Sequence, residues 1–168
     1  MIPMLGSVAA SLGTTNMLMP LVLGDVSDAQ SRQRARDGEG PSIAWEVGHM
    51  LAYRCQLIQL LGTPKESPFV AAFSTTSATD GSDYPKVAEF REGWEQTRSE
   101  LQQALDVATE ATVRGAAAGP GPHAGRSVLD AVAFFVFHEA YHMGALGAIR
   151  KSIGLPGPAE LVMAQRAS

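Results

Sequence analysis

The chain has 168 residues, of which 45% are hydrophobic and 18% charged, with a formal net charge of −4. That is enough apolar material for one core and too little length to suggest two, so a single domain over residues 1–168 is expected. The Lys and Arg residues are scattered and form no basic stripe, which argues against a nucleic-acid partner, and the lone Cys55 rules out an intrachain disulfide and favours a reducing, cytoplasmic setting.

In chain order, the apolar stretch from Met1 to Leu23 has no Lys or Arg before Arg32, whereas a secretory signal needs a basic start. Gly6, Gly13 and Pro20, with interspersed Ser, Thr and Asn, also argue against a membrane span. A first core helix is expected from about Met4 to Leu23, with Leu5, Val8, Leu12, Met17, Leu18 and Leu21 on a broad apolar side. The polar linker from Gly24 to Pro41 ends in the break Asp37-Gly38-Glu39-Gly40-Pro41.

Ser42 is placed to cap a second helix whose stripe is Ile43, Val47, Met50, Leu57 and Leu61, and Gly62-Thr63-Pro64 stops it. Residues 64–83 then turn to Ser, Thr, Pro and Gly, with Phe69, Val70 and Phe73 as anchors, and read as a long loop that is a candidate lid. Asp83 before Tyr84-Pro85 signals a third helix, with Glu89 and Glu92 in its early turns, that continues to about Ala108. After a connection through Ala116 to Pro122, Ser127 and Asp130 form a start resembling a capping box, and a fourth helix runs from about Val128 to Ile153. Gly154, Pro156, Gly157 and Pro158 end it, and the tail from Ala159 to Ser168 carries no readable pattern. With no repeat and no sustained polar–apolar alternation, the chain reads as an all-α four-helix bundle with a long loop between helices two and three.

The chemistry concentrates in His138-Glu139-Ala140-Tyr141-His142. Histidines four residues apart leave a helix on the same side, here in one sector with Ala131, Phe135, Ala145 and Ile149. Burying two imidazoles leaves polar nitrogens that cost roughly 1–3 kcal/mol each if unpaired, and one shared metal ion would satisfy both. The plain alternative is two core histidines hydrogen-bonded to backbone or water. His49, on helix two beside Trp45, Tyr53 and Gln56, flanks the apolar stripe and can supply a third nitrogen, whereas His123 reads as an exposed loop residue. Three ligands with an open position suit a catalytic centre, since structural zinc closes all four. Cys55 lies about 240° around the helix from His49 and is a poor fourth ligand. The His-Glu-x-x-His pattern matches the metallopeptidase signature, but no third downstream histidine follows and no strand is available to pair with a peptide, so peptidase is the weaker reading.

The segments Ser42-Ile43-Ala44-Trp45-Glu46-Val47-Gly48-His49 and Val128 through Gly144, with the Gly-Leu-Pro-Gly stop after the last helix, resemble the DinB/YfiT-like superfamily. The resemblance implies a four-helix bundle holding one divalent ion, zinc or nickel, on His49, His138 and His142. It also implies a small-molecule substrate, activity as a thiol-dependent S-transferase using a low-molecular-weight thiol or as a hydrolase, and pairing as a homodimer. The open position would bind a thiol as thiolate or activate a water. Glu139 is a candidate for proton transfer or for support of a ligand, and Tyr53 and Tyr141 are candidate hydroxyl donors to substrate. Trp45 and Phe135 shape an apolar cleft, and no Arg or Lys adjoins the ligands in sequence to recommend an acidic substrate. A non-catalytic metal or small-ligand binding bundle is the competing reading.

Overall fold

The computed structural model describes residues 1–73, 81, 83–119 and 123–167. Its helices are α1 (Gly6–Gly24), α2 (Asp28–Arg32), α3 (Ile43–Leu60), α4 (Val70–Phe73), α5 (Val87–Val107), α6 (Glu110–Arg114), α7 (Val128–Ser152) and α8 (Pro158–Ala167), with a single 3₁₀ turn at Pro3–Leu5. The described residues contain no strand. The four long helices α1, α3, α5 and α7 pack on one another as a bundle, α3 lying against both α5 and α7. Pro3–Gly24 and Val128–Ser152 are long and apolar enough to cross a membrane, by length and composition, and here both pack against other helices of the bundle.

The starts of α3 and α7 follow from local sequence. Ser42 Oγ accepts the Trp45 amide at 3.2 Å, and Ser127 and Asp130 exchange side-chain and backbone bonds as a complete capping box. The third predicted helix starts later than Asp83, at Val87. Pro85 restrains Tyr84 from helical backbone, and the cap comes from elsewhere in the chain: Asp28 Oδ1 on α2 accepts the Val87 amide at 2.8 Å.

The polar linker is less irregular than its composition suggests, because Ser27 and Gln30 form a capping box that nucleates α2. The C-terminal tail is also helical. Its α8 packs against α1, and Glu160 accepts the Gly157 amide at the helix start. The turn before it is clamped by the fully buried Arg150, which donates to Pro156 O, Val22 O and Asp25. Within the loop between α3 and α5, Phe69 and Phe73 pack on the core as anchors and the chain forms α4, while the Val70 side chain and residues 74–80 and 82 of the candidate lid lie outside the described residues.

The core is divided. One apolar cluster gathers Met19, Val47, Met50, Phe90, Trp94 and Met143; a second, toward the other end, gathers Leu5, Leu12, Ile58, Leu101, Val132 and Phe135. Between them in sequence on every long helix comes a buried polar residue: Thr15 on α1, Arg54 on α3, Thr97 on α5 and Glu139 on α7. Arg54 binds Glu139 through both carboxylate oxygens, at 2.7 and 2.8 Å, and reaches Asn16 Oδ1 at 2.7 Å. Its guanidinium carbon sits 3.6 Å from the centre of a Trp94 ring. Thr15 Oγ1 contacts the same carboxylate.

Candidate metal centre

Helices α3 and α7 bring His49, His138 and His142 together. Their ring nitrogens form a group lying within 4.8 Å of one another. His138 Nε2 is 3.2 Å from His49 Nε2 and 3.1 Å from His142 Nε2. Nitrogens about 2.0–2.1 Å from a common ion in tetrahedral arrangement lie about 3.3 Å apart, so the spacing already suits a single transition ion.

The orientation of two rings is fixed from behind. His49 Nδ1–H donates to the Phe73 carbonyl at 2.6 Å and His142 Nδ1–H donates to Glu46 Oε2 at 2.5 Å, which leaves a lone pair on each Nε2 facing the cluster. Without an ion, the two nitrogens that contact His138 Nε2 can be served only by an N–H there shared between them; an ion satisfies all three. Burial, which penalises the charged form, pushes His49 down to about 4, with the His142 charge adding to it and the Phe73 bond opposing it. Burial and the other two histidines likewise push His138 down to about 3. At neutral pH both are therefore uncharged, the form that ligates a metal.

Gly48 is needed for this arrangement. A Cβ there would meet the Phe73 ring at 2.7 Å, so the missing side chain lets α4 seat against α3 and delivers the Phe73 carbonyl to His49. Trp45 stacks on the other side of His49, ring centres 4.6 Å apart and 15° from parallel.

The nitrogens face a cleft of about 510 Å³. Tyr53 lines it, with its ring 4.3 Å from that of His138, and Tyr141 stands at the exposed rim, 5.0 Å from the His142 ring. Both hydroxyl candidates therefore border the cluster. Phe135 does not line this cleft; it packs beneath Tyr53.

Glu139 is placed differently from the sequence expectation. Although next to His138 in sequence, it is turned into the core, where Arg54 and Thr15 take its carboxylate. The acid that supports a histidine is Glu46, about one turn before His49 on α3, and the histidine it holds is His142 across the bundle on α7. His123 is also corrected: it is buried, packs on Phe135 with ring centres 5.5 Å apart, and stands apart from the three-histidine group. Cys55 is buried in the core, and that burial raises its thiol pKa. Finally, a cation does border the site, because the α2–α3 loop brings Arg36 to the cleft.

Comparison with known families gives a match to the DinB superfamily over residues 12–146, and the chain belongs to that superfamily. The match spans all three histidines, the whole of α3 and α5, and most of α1 and α7. No curated protein matches the chain.

Proposed function

We propose that this DinB-superfamily chain is a metal-dependent enzyme that acts on a small molecule, as a thiol-dependent S-transferase or as a hydrolase. The observation that carries the reading is the convergence of three Nε2 atoms, two of them fixed in tautomer from behind, on the wall of an open cleft. Zinc or nickel suits an all-imidazole set. Bound there, the ion supplies a Lewis acid that lowers the pKa of a thiol or water at its open position.

The chain's own groups do the positioning. Glu46 and the Phe73 carbonyl hold two imidazoles in register and make them better donors. Trp45 and Tyr53 supply aromatic walls, and Tyr53 and Tyr141, which line the cleft, are the proposed hydroxyl donors to a substrate oxygen. Glu139, held by Arg54, keeps the α7 helix in place and takes no proton in this reading. Pairing as a homodimer belongs to the same proposal.

The test is conjugation of a reactive chloro-aromatic with bacillithiol, mycothiol, glutathione and cysteine in turn, alongside ester and amide hydrolysis, using protein loaded with zinc or nickel. Turnover that needs the metal and disappears in His142→Ala supports the enzyme. Stoichiometric metal binding with no turnover in any arm would favour a non-catalytic binding bundle.

A further inference from the structure

We infer that Arg36 selects the substrate by binding a carboxylate on the small molecule whose other end reaches the three histidines; the inference rests on the metal-site reading above. Arg36 lies in the loop joining α2 and α3, which is closed on itself. Ala35 N donates to Pro41 O, Gly40 N to Ala35 O, Glu39 N to Arg36 O, and the Arg34 guanidinium to Gly40 O, all within 2.8–3.1 Å. Gly40 completes it, since a Cβ there would come within 3.0 Å of the Ala35 carbonyl. The loop is thus a fixed structure, and its Arg36, Glu39 and Pro41 line the same cleft as the histidines.

The backbone at Arg36 and Asp37 is left-handed, with φ of 53° and 54°, a conformation that side chains other than glycine adopt at a cost. The loop holds that conformation at the residue that brings a guanidinium to the cleft. Most other arginines of the fold are engaged: Arg32 and Arg91 on backbone carbonyls, Arg54 and Arg150 on carboxylates, Arg98 on Glu95. Among the described residues the Arg36 guanidinium has no hydrogen bond or ion pair, and it is the one cation among the residues lining the cleft. Trp45 lines the same wall. Trp45 is 6% exposed and its Nε1–H has no acceptor.

The carboxylates in the cleft narrow the ligand class. Glu46 is taken by His142, but Glu39 remains beside Arg36 and opposes a second negative charge on the ligand. One guanidinium with one nearby carboxylate fits a monocarboxylate better than a phosphate or a polyanion.

The test uses cobalt(II)-loaded protein, whose absorption reports a sulfur ligand, titrated with 3-mercaptopropionate, 2-mercaptoethanol and cysteamine as anionic, neutral and cationic probes. Arg36→Gln should weaken 3-mercaptopropionate about tenfold, the scale of one charge-assisted contact, and leave 2-mercaptoethanol within about twofold. Arg36→Lys, which keeps the charge, should retain most of the anion preference, an outcome that a merely structural role would not produce. Thermal melts of both variants check that the fold persists. Equal loss for anionic and neutral thiols in Arg36→Gln, or a preference for cysteamine in the wild type, would overturn the inference while leaving the metal site standing. Failure of cobalt to bind would overturn both, and is seen before any thiol is added.

Discussion

Replacing Glu139 by Gln removes one charge from a pair that is almost wholly out of water: the side chains of Arg54 and Glu139 are 1% and 6% exposed. The carboxylate is bidentate and also meets Thr15, while Arg54 Nη1 already lacks a partner. Loss of the charge therefore leaves a buried guanidinium with inadequate compensation, a situation that costs about 3–5 kcal/mol. Against a total stability of roughly 5–15 kcal/mol, that is a large fraction. For a chain of this length it corresponds to a fall in Tm of roughly 6–20 °C. Urea denaturation followed by circular dichroism measures it, with the slope m expected to be unchanged. The paired replacement Arg54→Met with Glu139→Leu should recover most of the loss, because an apolar layer needs no compensation. Metal content of the folded Glu139→Gln protein should match the wild type. A loss below about 1 kcal/mol, or intact stability with abolished turnover, would refute a structural role and restore Glu139 as a participant in the chemistry.

Glu46→Gln should lower metal affinity about 10- to 100-fold with little change in stability, measured by competition with a chromophoric chelator, because it weakens the group that holds His142. Gly48→Ala should cost about 1–3 kcal/mol by chemical denaturation and loosen the metal as well, since Phe73 must move away from α3 and take its carbonyl from His49. The metal-free protein should lose stability as pH falls. His49 and His138 titrate at about 4 and 3 when folded against an ordinary 6.5, so below about pH 6.5 the unfolded chain binds protons that the folded chain refuses. The urea midpoint should drop between pH 6.5 and 4 and these two groups should add no slope between pH 7 and 8; a flat profile through the acid range would contradict the burial of these rings.

What was legible in the sequence is what depends on near neighbours. Ser42, Ser127 and Asp130 announce their caps within four residues, and His138 and His142 share a face by helical spacing alone. His49 could be placed because it flanks the stripe of its own helix. The partners that complete the site are contacts across the fold. Phe73 reaches His49 from 24 residues away, Glu46 reaches His142 from 96, and Arg54 meets Glu139 from 85. No local pattern encodes those distances, so Glu139 read as a free acid beside a histidine, although it faces the core. The α5 start departs from the Asp83 signal for the same reason, since the Val87 amide is capped by Asp28 on α2. Arg36 was invisible because it lies in a polar linker whose closure depends on backbone bonds rather than on periodicity.

Elemental analysis decides whether the three histidines hold one ion. Untagged protein should be prepared without chelators or a metal column, alongside His138→Ala, which removes the nitrogen that contacts both of the others. About one transition ion per chain is expected in the wild type and none in the variant, with the helical content of both unchanged. Wild-type protein that carries no stoichiometric metal, even after incubation with zinc and with nickel, would contradict the three-histidine metal site.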